Sequence, residues 1–356
     1  MRIEIRPFSP EWTGAVDAFN ARLTTGGVES GLRLPLDPEK DLLLGSLMYI
    51  ATENGAVRGG YILRPQQFSF AGELRRVAHY RLPLSEGIVD RAYVQVGSLL
   101  LRNAMRQEPL LYALGMGGLK RPLARMLKLH GWNLCSVPFC FRVPRPLRFF
   151  RELRAVRTSR WRAAGMDLAA FSGTGWFCLK ALEWFRTQPS RSDIHSDAVD
   201  DLGGWADAFW RASCSEYAMA AVRDAAVLRE LYPPLDGRFL KVRVTDAGWA
   251  ILLDTIMQGD KYFGNLRVGT IADCLAKPQH AGAVIRAARI YLEQRGVDLI
   301  VTNQRHVAWL AALRADGFLQ APSNFFFAAS KPLSELAGSV SGYHLTRGDG
   351  DGPIHL

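Results

Sequence analysis

The same order of secondary-structure elements can be read twice along the chain, and this recurrence constrains the fold more than any single motif. From Met1 to about Val143 the sequence reads as three strands, a helix, a strand, a helix and a closing strand. From about Ser192 to Ser330 it reads the same way. Self-similarity on this scale points to duplication of one unit. In the first copy, MRIEIRPF is an opening strand, and Pro10 begins a helix with Trp12, Val16, Phe19 and Leu23 at helical spacing. Asn54-Gly55 supplies the positive φ angles of a tight turn inside LMYIATENGAVRGGYIL, which marks a hairpin. A third strand lies in ELRRVAHYRLPL. Residues 93–106 form a helix, PLLYALGM a strand, LKRPLARMLKLHG a helix closed by Gly131, and WNLCSVPFCFRV the last strand. In the second copy, 200–232 read as helices, and RFLKVRV and WAILLDTIM are strands joined across Thr245–Gly248. LRVGTIADCLA is a third strand and 280–295 a helix closed by Gly296. VDLIVTN is a buried strand, HVAWLAALRADG a helix closed by Gly317, and FLQAPSNFFFAAS the returning strand.

The expected architecture is therefore α/β, with two tandem domains. Each is a mixed, mostly antiparallel sheet flanked by helices. The boundaries are 1–143 for the first domain, 144–191 for an Arg-rich connector, 192–335 for the second domain and 336–356 for a C-terminal tail. A length of 356 residues suits two domains at roughly 100–200 residues each, and 48% hydrophobic with 22% charged residues is ordinary for packed cores. No apolar run reaches the ~18 residues of a membrane span, and the first residues lack the apolar stretch of a secretory signal, so a cytoplasmic location is expected. Cys135, Cys140, Cys178, Cys214 and Cys274 form no cluster with metal-ligand spacing, which favours reduced, packed thiols and no metal. Asp349 and Asp351 in the tail lack the acidic ligand that would complete a calcium loop.

The net charge is +10, and FRVPRPLRFFRELRAVRTSRWR (141–162) holds eight Arg and one Glu, or +7 of it. This favours anionic partners: CoA phosphates, tRNA or an acidic membrane surface. An Arg at nearly every third position circles a helix instead of forming one face, as in a solvated connector.

Gln279-His280-Ala281-Gly282-Ala283-Val284 stands at a strand-to-helix junction of the second copy, and Ala92-Tyr93-Val94-Gln95-Val96-Gly97, followed by Ser98, at the matching place in the first. With the element order, these segments resemble the GNAT N-acetyltransferase superfamily, in which a Q/R-x-x-G-x-G/A loop opens a helix and binds the CoA pyrophosphate. In the first copy only Gly97 fits this pattern. Unpaired N–H groups and a partial positive charge favour an anion there. The resemblance implies acetyl-CoA or another acyl-CoA as co-substrate. It would be bound by Gln279, His280, Ala281, Gly282 and Ala283 in the second copy, which matches better, or by Gln95, Gly97 and Ser98 in the first. The family's Tyr-x-x-x-Gly-Phe helix ending is kept as Leu127-Lys-Leu-His-Gly131-Trp132 and Leu313-Arg-Ala-Asp-Gly317-Phe318, with Leu in place of the proton-donating Tyr.

Transfer to an amine needs a positioned donor, a polarised carbonyl and a base. The candidates for the base are Asp273, His306 and Glu86, with His280 as a further candidate. Tyr217, Arg223, Asp224 and Tyr232, within 215–234, lie where the family places acceptor-binding helices. The expected function is an acyl-CoA-dependent N-acyltransferase acting on a small amine, such as an amino sugar or amino acid. The tandem arrangement also resembles mycothiol-synthase-like enzymes and Fem-type transferases. The second group leaves aminoacyl transfer from tRNA as an alternative, and loss of the Tyr leaves an acyl-CoA-binding scaffold as another. Contact with an anionic membrane through the connector is a further expectation.

Overall fold

The computed structural model describes residues 3–29, 31–43, 45–152 and 195–350. The chain divides into two compact units. The first comprises residues 1–68, 74–136 and 324–338; the second comprises 69–73, 137–323 and 339–356.

The first unit contains β1 (Glu4–Pro7), β2 (Leu47–Glu53), β3 (Ala56–Phe70), β4 (Glu73–Ser85), β5 (Leu111–Leu114) and β6 (Asn133–Ser136). Asn54 and Gly55 adopt φ of 50° and 78°, so the expected turn joins β2 to β3. One face of the sheet carries Tyr61, Leu63, Ala78, Tyr80, Leu111 and Ala113, packed against helices Val96–Gln107 and Pro122–Leu129. The other face carries Met48, Ile50 and Ile62, packed against helix Thr13–Thr25 through Val16, Phe19 and Leu23. Two-residue alternation along each strand produces these two faces.

The second unit contains β7 (Phe139–Arg142), β8 (Ser196–Val199), β9 (Met219–Ala221), β10 (Leu240–Val244), β11 (Gly248–Ile256), β12 (Arg267–Ala276), β13 (Leu299–Asn303) and β14 (Leu319–Ala321). Its core centres on Trp249 and Trp309, both fully buried. The mixed α/β class and the predominantly antiparallel pairing agree with the sequence expectation.

The closing strands differ from expectation. Each of the two predicted last strands is broken in two, at Val137-Pro138 and at Pro322-Ser323-Asn324-Phe325. The second piece in each case pairs in the other unit's sheet. Phe139–Arg142, expected to complete the first copy, lies between β13 and β14, antiparallel to both. β15 (Phe326–Ala329), expected to complete the second, lies between β5 and β6. Proline has no N–H to give a ladder, so each strand ends there and the chain is free to leave its sheet. The boundary expected at Val143 followed element order and could not register this exchange. Residues 215–234, expected to be helical, contain the strand β9, with a helix only over Ala225–Leu231.

Within the connector, a helix covers Pro146–Glu152, and the arginines from Arg154 to Arg162 lie outside the described residues, as do Cys178 and Asp351. Arg142 pairs with Glu293, and Arg145 and Arg148 with Asp298. No helix among the described residues is long and apolar enough to cross a membrane, and no group of acidic, His and Cys side chains among them is arranged to hold a metal.

Candidate functional site

In the second unit, β12 runs parallel to β13 only from Val268↔Leu299 to Ile271↔Thr302. Just past that point, the register of β12 against β11 shifts between Ile251↔Asp273 and Leu252↔Ile271, leaving Ala272 as a bulge. A bulge re-aims the strand, and β12 continues to Ala276 away from β13. A 3-10 turn at Pro278–His280 then leads into helix Ala281–Gln294, whose N-cap His280 makes no side-chain capping bond. Gln279 and Gly282 are exposed, His280 and Ala283 are half-buried, and Ala281 is buried. No atom lies within 4 Å of where a Cβ on Gly282 would sit. The loop therefore presents uncapped amides with open space before them.

The gap between the diverging strands is filled by the C-terminal segment. β16 (Tyr343–His344) pairs in parallel with β9. Arg305, just after β13, donates its N–H to the Leu345 carbonyl at 3.1 Å, and Thr346 Oγ1 donates to Asp273 Oδ1 on β12 at 2.9 Å. Asp349 Oδ2 accepts from the Thr346 N–H at 2.7 Å. A Cβ on Gly348 would collide with Tyr232 Oη and Asp273 Oδ2. Of the stretch expected to be a tail, residues 343–350 are a largely buried part of this unit.

This packing revises the role of Asp273. It is fully buried and accepts from Arg223 Nε (2.7 Å), Tyr232 Oη (2.7 Å), Thr346 Oγ1 and the Cys274 N–H (2.9 Å). With four donors on two oxygens, it has no lone pair left for a substrate proton. Arg223 also binds Asp349 Oδ1 at 2.5 Å, so one guanidinium serves two carboxylates. Burial, with Asp273 close by, raises the Asp349 pKa. His306 caps helix Val307–Ala315 by accepting the Ala308 N–H on Nδ1 at 3.3 Å, and burial lowers its pKa. The acceptor candidates are likewise engaged inside the unit: Tyr217 donates to the Ala276 carbonyl and accepts from Trp309, Asp224 caps the helix at Val227, and Tyr232 binds Asp273.

In the first unit, β4 pairs with β5 only at Ala78↔Leu111 and His79↔Tyr112. β4 then continues to Ser85, and helix Val96–Gln107 begins with N-cap Gln95, again without a side-chain capping bond. Gln95 is exposed, and Gly97 and Ser98 are half-buried. A Cβ on Gly97 would meet Met126 Sδ at 3.4 Å, so this helix start is flanked by helix Pro122–Leu129. Glu86 is held by Arg22 (2.7 Å) and Arg58 (3.0 Å). Burial alone would raise its pKa, but the two guanidinium groups outweigh burial and hold it below the usual carboxylate range. It is an ion-pair anchor and a poor base.

Sequence reasoning missed a polar cluster on the sheet face opposite helix Val96–Gln107. His79, 1% exposed, stacks on Tyr112 with ring centroids 4.6 Å apart. The Tyr112 hydroxyl bonds Gln66, and Gln66 Oε1 accepts from Arg64 Nη2 at 3.3 Å. Burial, then the charges of Arg64 and Arg81, push the His79 pKa well below its ordinary value, so its ring is neutral at pH 7. Its Nδ1 has no hydrogen-bond partner. A signal was available: alternation along ILRPQQ and VAHYRL places Arg64 and His79 on a face that apolar residues would fill if it only packed. Leu127 and Leu313, which replace the family's Tyr, are fully buried core residues.

No protein-family profile matches the sequence, and no curated protein matches it. Among solved structures, the chain is similar to an Enterococcus faecalis protein of unknown function, a probable N-acyltransferase (TM-score 0.54, 9% identity, 92% of this chain and 72% of that one). It is also similar to a GCN5-related N-acetyltransferase from Anabaena variabilis (TM-score 0.53, 10% identity, 92% and 72%). A third similarity is to the GCN5-related glucosamine N-acetyltransferase region of a fungal multi-domain β-N-acetylglucosaminidase (TM-score 0.52, 13% identity, 92% and 38%). At these identities the likeness is one of fold: the chain has the GNAT fold in the α/β form expected from its element order.

Proposed function

We propose that the protein is an acyl-CoA-dependent N-acyltransferase acting on a small amine, with its donor site in the first unit. One observation carries the choice of unit. Both units have parted strands beside an uncapped helix start, but in the second the C-terminal segment occupies the gap that a donor's thioester arm would need. The preference drawn from the Gln279–Ala283 pattern is thereby reversed. Donor phosphates would lie on the amides of Val96, Gly97 and Ser98. The thioester carbonyl would lie against the edge of β4 beyond His79, where a strand N–H polarises it. The amine nitrogen, one N–H held by neutral His79, attacks that carbonyl, and the thiolate leaves and takes the proton that the nitrogen gives up. The second unit serves as scaffold. Among the described residues, Arg142, Arg145 and Arg148 are engaged by Glu293 and Asp298, which weighs against their holding a tRNA donor.

Melting curves with acetyl-CoA test this reading. Saturating donor raises Tm, with about 2.7 kcal/mol of stabilisation at 100-fold over Kd. Ser98→Glu puts a carboxylate where the phosphates would sit while remaining compatible with a helix N-terminus. It is expected to abolish the shift, whereas Gly282→Asp leaves it intact. The opposite pattern moves the donor to the second unit, and no shift with any acyl-CoA rejects the reading. A further expectation concerns His79: His79→Ala lowers kcat/KM by about tenfold, the size of a lost hydrogen bond to the amine, and leaves the acetyl-CoA shift unchanged.

A further inference from the structure

We infer that Arg64 receives a carboxylate carried by the amine acceptor, so that the substrate is an amino acid or a similar amino carboxylate. This rests on the donor reading above and specifies the acceptor for the same unit. Arg64 is 4% exposed and lies on the sheet face away from helix Val96–Gln107. Its single hydrogen bond is to Gln66 Oε1, and its Nε and Nη1 atoms have no partner. Among the described residues no carboxylate contacts it. A buried guanidinium without a counter-ion is costly, and such groups are ordinarily paired or neutralised.

The surroundings do not compensate the charge. His79 stacks on Tyr112, whose hydroxyl bonds Gln66, the hydrogen-bond partner of Arg64; the His79 Nδ1 is also unpartnered, and Phe68 and Phe327 pack on Tyr112 beside it. An amino carboxylate answers both vacancies, with its anionic end at Arg64 and its amine at His79. Guanidinium donors suit a carboxylate, and the bond is charge-assisted. Because this face is opposite the helix assigned to the donor phosphates, the carboxylate belongs to the acceptor and not to a dicarboxylic acyl chain.

The test uses the full-length protein and two matched sets of probes: free amino acids and their α-carboxamides. Without donor, at least one free acid is expected to raise Tm and its amide to raise it less. With acetyl-CoA, kcat/KM for that acid exceeds the amide's by at least about tenfold, the size of a lost charge-assisted bond. Arg64→Met brings the acid-to-amide ratio to near one and raises the Tm of the unliganded protein, because an uncompensated buried charge has been removed. A structural arginine would lower Tm instead. Arg64→Lys, which keeps the charge, retains part of the preference.

Equal use of acids and amides, or a preference that survives Arg64→Met, overturns the inference. So does a preference for succinyl-CoA over butyryl-CoA that depends on Arg64, since the carboxylate would then sit on the acyl group. Failure of the donor reading is seen separately, as absence of an acetyl-CoA shift, while the donor-free melts still report on Arg64.

Discussion

Arg223→Met destabilises the protein by about 3–5 kcal/mol, the usual cost of removing one member of a buried charge network, or roughly 6–20 °C in Tm for a unit of this size. The change leaves Asp273 and Asp349, both buried, sharing a site with no cation. Like charges in a medium of low polarity cannot both stay ionised, so one carboxylate must take up a proton or the C-terminal segment must come away from β12. Asp273→Asn is milder, because Arg223 keeps Asp349 and the amide oxygen still accepts a bond. The pair of variants separates two roles for Asp273. If it were the catalytic base, Asp273→Asn would melt close to wild type and lose turnover. The packing described above predicts that turnover persists and stability falls, measured by thermal melts alongside thiol release from acetyl-CoA.

Stability also falls as pH drops from 7 to 5. His344 is 4% exposed, in ring contact with Tyr217 and Trp309, and burial lowers its pKa to about 3. His79 and His306 are shifted in the same direction, again chiefly by burial. The sign follows from comparing the two states. Unfolded, each imidazole takes a proton near pH 6.5; folded, it does so only at lower pH. The unfolded state therefore binds more protons as pH falls, and stability present above about 6.5 is lost on the way down toward the folded values. His344 alone accounts for about 2 kcal/mol at pH 5. The carboxylates with lowered pKa, Glu86 and Asp254, lose their contribution further down, below the ordinary carboxylate range, whereas Asp316 and Asp349, whose pKa burial raises, add stability as pH falls and partly offset the histidines. His344→Phe keeps a ring between Tyr217 and Trp309 and removes the titration. Denaturant midpoints for this variant should fall less steeply between pH 7 and 5, and an unchanged slope would mean that His344 is not neutral in the folded protein.

The features legible in the sequence were local ones. Asn54-Gly55 announced its turn because two adjacent residues set both φ angles. Gly131 and Gly317 closed their helices at φ of 76° and 81°, since a left-handed position can be read from one residue. The junction at Gln279–Ala283 was visible because a strand, a loop and a helix follow one another along the chain. What escaped was set by distant partners. Asp273 looked like an available base, yet its donors Arg223 and Thr346 stand 50 and 73 residues away. Thr346–Gly350 read as a Gly- and Asp-rich tail, and only the parting of β12 from β13 gives it a place. Pro138 and Pro322 were read through as parts of single closing strands, although each stands at a break, and neither says where the chain goes next. Arg64 and His79 form an intermediate case: alternation puts them on one face, but the absence of a carboxylate against Arg64 among the described residues is visible only in the folded chain.

The placement of β15 also sets a timetable for synthesis. The first sheet needs Phe326–Ala329 between β5 and β6, and β6 ends at Ser136. A ribosome adding about 5–20 residues per second needs roughly 10–40 s to cover the intervening stretch. Throughout that interval the nascent first half carries two β-edges facing a missing neighbour, the kind of edge that recruits other chains. Neither half can be shed by a gene break in the connector, because each fragment would lack an inner strand. The segment that follows β14 thus supplies the strand that completes the first sheet.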